Sequence, residues 1–393
     1  MTRSALRSIL PALTAAEALH SSQVTQLIRE RIRAAGGAIG FDEFMEAALY
    51  APGLGYYSAG SVKLGAAGDF VTAPEVSDLF GRCVARQCAQ VLAATGGEIL
   101  EIGAGTGRLA ETLLQALAHS AALPERYAIL EVSADLASRQ RERLQALPRA
   151  LWERVVWLDS LPDKPLRGVI VANEVLDALP FSRITVRNGA LRELAVTVAD
   201  GIFAECDRPP TQAVASAFAA LTPELPAPLP DGYRSEVCLR VEPWIAGIGA
   251  CLERGLMLLF DYGLPRAHYY HPQRIAGTLR CHFKQHAHDD PFVNVGVQDI
   301  TAWVDFTRVV EAAVAANLDI LGFVTQAGFL LATGIEGLAA DAVSTRERVQ
   351  RASEARRLLL PGEMGEAFKV MALGKDYDEI LTGFSLQDLR RSL

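Results

Sequence analysis

The sequence predicts an α/β fold built on a parallel sheet that is covered on both faces, and three observations predict it. Short apolar runs, Ile99–Ile102, Tyr127–Leu130, Val155–Leu158, Val169–Ala172 and Leu256–Phe260, alternate with stretches of helical pattern. The first run leads directly into a glycine-rich turn in "EILEIGAGTGRL". Ser182–Cys206 instead alternates around Asn188-Gly189 and Asp200-Gly201, the turn chemistry of antiparallel hairpins, so a β-meander is inserted into the α/β chain.

The elements follow in order. Ser21 or Ser22 is expected to cap a first helix that stops at Gly36-Gly37, and Asp42–Tyr50 forms a second. Residues 51–70 are glycine-rich and irregular. Thr72 with Glu75 three residues later spells a capping box, with Pro74 in the first turn. After the strands and the meander, Val241–Leu252 is helical and Glu366–Lys375 reads as a last strand that rejoins the sheet. The expected division is 1–95 as a helical lid region, 96–180 as the first part of the ligand-binding core and 181–255 as the inserted meander and helix. Residues 256–375 complete the core around a substrate-side insertion at 264–297, and 376–393 form a tail.

Composition narrows the function. The 393 residues are half hydrophobic and carry a net charge of −8, which disfavours non-specific nucleic-acid binding. The six cysteines form no CxxC pair and read as reduced thiols. No run is long enough to span a membrane. The first 16 residues carry Arg3 and Arg7 and no acid, a faint likeness to a transit peptide, and the preferred reading is a frayed helix.

The glycine turn names a ligand class. A dinucleotide fingerprint needs a third glycine where this chain has Arg108. Glu101, two residues before Gly103, would repel a pyrophosphate but suits a cofactor that is cationic near the turn. S-adenosylmethionine (SAM) carries a sulfonium and an ammonium and no phosphate, while Gly103, Gly105 and Gly107 allow the backbone to approach it closely. Glu131, after the second strand, is placed to bind the ribose hydroxyls, and Asp159, after the third, could reach the adenine amine. Asn173, Glu174 and Asp177 follow the fourth strand, at the carboxyl edge where open α/β sheets bind ligands. Glu174 and Asp177 are spaced to share a face of one helical turn.

These segments, with "GAIGFDEFMEAALYAPGLGYYS", "GDFVTAPEVSDLFG", "NEVLDALP", "LLFDYG", "GTLRCHFKQHAHDDPF" and "VGVQDITAWVDF", resemble the MidA family of SAM-dependent methyltransferases from about Gly36 to Lys375. The resemblance implies a seven-strand, Rossmann-like class I methyltransferase core with an added N-terminal helical region. It implies SAM as cofactor and a loop at Gly68, Asp69 and Phe70 that closes over it together with Thr72–Glu75. Mitochondrial members methylate an arginine of a partner subunit and act in assembly of a respiratory complex. The implied function is therefore protein arginine methylation, on a protein substrate that could be a respiratory subunit. The implied compartment is the cytoplasm of a bacterium or the mitochondrial matrix of a eukaryote. Two positions depart from the family pattern: Ala267-His268, where many members carry a His-Glu pair, and Trp303, where His is common.

Arginine arrives protonated, with a pKa above about 12, so carboxylates must orient it. Glu174, Asp177 and Asp261 are the expected catalytic acids, with Glu75 and Asp69 behind them. "CHFKQHAHDD" is expected to be an ordered loop, not a metal site, because no ligand spacing recurs in it. A SAM-binding assembly factor with weak or lost activity is the alternative. A NAD-dependent oxidoreductase and a nucleic-acid methyltransferase fit less well. A homodimer is left open.

Overall fold

The structure is a computed structural model, and it describes residues 9–59 and 71–393. The chain divides into two compact units. One comprises Met1–Phe70, Asp177–Val241 and Pro265–Asp305, the other Val71–Leu176, Glu242–Leu264 and Phe306–Leu393. The helix Asp78–Thr95, grouped by the sequence with the N-terminal region, thus belongs to the second unit.

Among the described residues of the second unit, seven strands form one sheet: β1 (Glu98–Ile102), β2 (Tyr127–Leu130), β3 (Val155–Leu158), β4 (Leu166–Asn173), β5 (Leu252–Leu264), β6 (Asp319–Thr325) and β7 (Phe368–Lys375). Their order is β6-β7-β5-β4-β1-β2-β3. β1 to β5 run parallel, and β7 is inserted antiparallel between β5 and β6. Chain order reverses between β1 and β4, so the carboxyl ends of these two neighbours form a topological switch point, where such sheets bind ligands. The strands are short and apolar because helices cover both faces. Val169, Val171, Leu256, Leu258 and Phe260 are all buried.

Three helices frame the switch point: α1 (Asp78–Thr95), α2 (Arg108–His119) and α3 (Ala134–Gln145). The close packing that a third fingerprint glycine would provide is supplied from α1. A Cβ on Gly81 would lie 2.8 Å from Thr112 of α2. Arg108 is left to pair with Glu111 at 2.9 Å.

The first unit has a five-stranded antiparallel sheet. Ala38–Ile39, Ala190–Ala199, Ser182–Arg187 and Arg234–Val237 lie in that order, and Ile202–Arg208 also pairs with Ala190–Ala199. The expected meander is therefore present. Its core joins helix Ala15–Ala34, through Val24, Ile28 and Ile32, to the aromatic cluster Phe41, Phe44, Phe181, Phe203 and Phe292. The rings of Phe44 and Phe292 lie 5.2 Å apart and those of Phe41 and Phe181 5.4 Å.

Several local expectations are corrected. The first helix starts at Ala15, not at Ser21 or Ser22, because Thr14 and Glu17 form a complete capping box. The Thr72–Glu75 pattern forms no such box. Ala73–Val76 is a single turn without a side-chain cap, and Ser77 breaks it and caps α1 instead. No helix follows β4. Glu174 takes a left-handed φ of +53°, and bends and turns carry the chain to Pro180, so Glu174 and Asp177 share no helical face. The histidine-rich segment is a hairpin, Arg280–Phe283 with His286–His288, turned by Lys284 and Gln285 at positive φ.

Candidate cofactor and acceptor site

The glycine turn leaves β1 and enters α2 with Gly103, Gly105 and Gly107 at φ of +65°, +54° and +79°. An L side chain is strained at each. At Gly103 a Cβ would also press to 3.3 Å from the Val175 side chain. The turn is thus a bare backbone cradle at the carboxyl end of β1. Thr106, within it, hydrogen-bonds the Glu75 carboxylate. Glu75 therefore braces the turn and does not cap its own helix.

Glu101 lies under the cradle. It is 3 % exposed and accepts a 2.7 Å hydrogen bond from the Tyr127 hydroxyl of β2. Burial pushes its carboxyl up to about 7; the tyrosine hydrogen bond opposes that rise and the charge of Glu131 adds to it. A carboxyl on the edge of ionisation beneath a backbone cradle would be drawn fully to its charged form by a nearby cation.

Glu131, just past β2, accepts hydrogen bonds from the Ser133 amide and the Gln140 side chain, both at 2.9 Å. Val132 beside it is 74 % exposed, an apolar side chain next to an acid. Asp159 follows β3 on an exposed loop, with Ser160 Oγ at 3.4 Å. Asn173 ends β4. Its Nδ2 donates to Glu174 at 3.1 Å, while its buried Oδ1 has no partner. A buried acceptor without a donor is costly, and here it sits at the switch point.

Asp261 is buried in β5. Its Oδ2 accepts from the Leu176 amide and its Oδ1 from the Tyr262 amide, both at 2.9 Å. The Glu174 amide donates to the Phe260 carbonyl at 2.8 Å. Two strand-end contacts therefore fix the bend that follows β4.

Thr72 is the backbone cap of the short Ala73–Val76 turn. Gly68 and Asp69 lie outside the described residues. Asp177 belongs to the first unit, where it is 5 % exposed. Its carbonyl accepts from Ala302, and its charge lies close enough to Tyr50 and Tyr57 to help raise their hydroxyls, after the dominant effect of burial. Those rings stack at 5.4 Å, and Tyr57 donates to Asp299 at 2.8 Å.

The structure thus ties the glycine turn to Glu131 through Gln140, places Glu101 close enough to feel the charge of Glu131, and ties Asn173 to Glu174. It does not bring Asp159 into these contacts. The sequence reading missed Tyr127 and Gln140, whose hydrogen bonds hold Glu101 and Glu131, and gave Glu75 another task.

The residues fit SAM. The cradle excludes side chains, Glu101 favours a cation, and the partnerless Asn173 Oδ1 can accept from an ammonium group. Comparison with known proteins agrees. A family model described as "Putative S-adenosyl-L-methionine-dependent methyltransferase" matches residues 83–324. A Drosophila melanogaster protein named protein arginine methyltransferase NDUFAF7 homolog, mitochondrial, is 31% identical over 389 residues, covering 91% of this chain and 86% of that protein. The Danio rerio protein arginine methyltransferase NDUFAF7, mitochondrial, is 27% identical, over 86% of this chain and 84% of its own. A crystal structure from Burkholderia thailandensis, bound to S-adenosyl-homocysteine, is 40% identical with a TM-score of 0.92, over 98% of this chain and 100% of that one.

Proposed function

We propose a protein arginine as the methyl acceptor of this chain, which belongs to the family of SAM-dependent methyltransferases. The cofactor supplies an electrophilic methyl group on a sulfonium. The observation that carries the acceptor reading is the Glu174 carboxylate at the end of β4, beside the switch point and next to the proposed cofactor contact Asn173. A guanidinium presents five N–H donors and no acceptor, so it needs such groups around it. Support comes also from the relatives named protein arginine methyltransferases, which align with most of the chain.

In this reading Glu174 holds the guanidinium and takes the proton that its nitrogen releases on methylation. Asp261 is a positioning residue that fixes the Leu176 and Tyr262 amides around the bend. Asp177 is proposed to help bind the acceptor, and its own substitution tests that. Glu101, Gly103, Gly105, Gly107, Glu131 and Asn173 are the proposed cofactor contacts, with Asp159 and Thr72 at the margin. Gly68 and Asp69 are carried by the family resemblance alone. Alignment of two reactants can contribute about 7–11 kcal/mol, so holding the acceptor in line is the larger part of what the protein does.

A respiratory-complex subunit as acceptor, a homodimer, and a bacterial cytoplasm or mitochondrial matrix as compartment belong to the same proposal. The relatives are named mitochondrial, and no helix among the described residues is long and apolar enough to cross a membrane.

The test is transfer of isotopically labelled methyl groups from SAM into a protein extract of the source organism, followed by mass spectrometry. Methylarginine that depends on the added protein, and that falls at least about tenfold with Glu174→Gln, is expected from loss of a charged hydrogen bond. Label on another residue type, or on a small molecule, would overturn the arginine reading.

A further inference from the structure

Gln140 is a buried amide with no exposed surface, on the inner face of α3. An apolar side chain would be cheaper at such a position, because a buried amide is tolerated only when its groups are bonded. Here they are. Nε2 donates to Glu131 Oε2 and to the Gly105 carbonyl, both at 2.9 Å. Oε1 accepts from the Trp157 indole of β3, also at 2.9 Å. The amide has one workable orientation: two acceptors require the NH2 on one side, and an indole N–H requires the oxygen on the other. One side chain therefore ties together the turn after β1, the acid after β2 and the ring on β3.

We propose that Gln140 is a positioning residue for the cofactor, setting the Glu131 carboxylate and the Gly105 carbonyl in one arrangement so that the ribose-binding acid and the glycine turn are held as a unit. This rests on the reading of Glu131 as the ribose-binding acid. Gln140 itself touches Glu131 and the turn. Its effect on ligand reaches the ribose through Glu131. Packing supports the arrangement. A Cβ on Gly107 would lie in ordinary contact, 3.4 Å, with Gln140, so α3 packs against the start of α2 at this residue.

The experiment is calorimetric titration with S-adenosyl-homocysteine of the wild type, Gln140→Glu, Gln140→Met, Glu131→Gln and the double variant Gln140→Met/Glu131→Gln, each checked by thermal melting. Gln140→Glu keeps the shape but sets an acceptor against the carboxylate and the carbonyl. It is expected to weaken binding about 10–100-fold, the scale of losing hydrogen bonds to a charged group. Gln140→Met removes the bonds at similar volume and carries the test if Gln140→Glu does not fold. Its effect is expected to shrink to within about twofold in the Glu131→Gln background, because residues that act through each other are not additive. A merely structural role would lower the melting temperature and leave the two effects additive, which would overturn the proposal. So would wild-type affinity in Gln140→Met while Glu131→Gln binds weakly. If Glu131→Gln itself binds as wild type, it is the ribose reading of Glu131 that fails.

Discussion

The two units of this chain solve the same problem, burying apolar surface, over very different chain distances. In the second unit, β1, the glycine turn, α2 and β2 follow one another within Glu98–Leu130, and four of the proposed cofactor contacts, Glu101, Gly103, Gly105 and Gly107, lie on them, with Glu131 one residue beyond. In the first unit the core draws Val24, Phe44, Phe203 and Phe292 from three separated segments. The difference teaches where chemistry is written locally. A cradle needs a glycine every other residue, whereas an aromatic core needs only rings that meet after folding.

The largest expected effect breaks the first unit alone. Phe44 is fully buried and its ring lies 5.2–5.6 Å from those of Phe292, Phe41 and Phe203. Phe44→Ala leaves a cavity there and is expected to cost about 3–5 kcal/mol in chemical unfolding. Affinity for S-adenosyl-homocysteine, measured well below the transition, should stay within about twofold, since no proposed cofactor residue on the described strands is in this core. A parallel loss of affinity would show that the comparison between the units is drawn in the wrong place.

The opposite substitution comes next. Gly103→Val forces a β-branched residue to a φ of +65° and presses its Cβ against Val175 at 3.3 Å. Strain of this kind costs about 1–3 kcal/mol, and the same side chain fills the cradle, so calorimetric affinity for SAM should fall at least about 100-fold. Retained binding would remove the turn from the cofactor site.

The same contrast explains what the sequence made legible. Six of the seven sheet strands and the meander could be read because their patterns are local: short apolar runs, and Asn-Gly and Asp-Gly turns. The β7 strand could be read from its apolar run, but not its insertion between β5 and β6, which depends on partners far along the chain. Of the site, Glu101 and Glu131 were visible from their distance to the glycines. Tyr127 and Gln140, which hold those acids, were not, because nothing marks a tyrosine in a strand or a glutamine in a helix as a partner before the fold brings them together. The capping pattern at Thr72 misled for the same reason: Thr106, distant in sequence, competes for the Glu75 carboxylate and wins. The helical spacing of Glu174 and Asp177 failed because Asp261 and Phe260 of β5 fix the intervening backbone in a bend.

The smallest expected effect is a titration, and it sharpens the comparison by asking what the buried acid of the second unit costs. Glu101 has its carboxyl raised to about 7, by burial first. If it faces the cationic part of SAM, binding favours the carboxylate. Affinity should therefore be highest above pH 7 and fall about tenfold between pH 8 and pH 6 as the carboxyl takes up a proton. Glu101→Gln should bind about tenfold more weakly at pH 8 and show a flat profile across that range. The sign for stability is the reverse. A group whose pKa is raised on folding contributes stability that is fully present below its unfolded value near 4.5 and lost as the pH climbs through about 7. The ligand-free Glu101→Gln protein should thus melt higher than the wild type at pH 8, with the difference fading towards pH 4.5. Weaker binding joined to a higher melting temperature would mark Glu101 as an acid kept for the ligand at the expense of the fold. Unchanged affinity with the same gain in melting temperature would leave it a strained core residue and take the cation out of the argument.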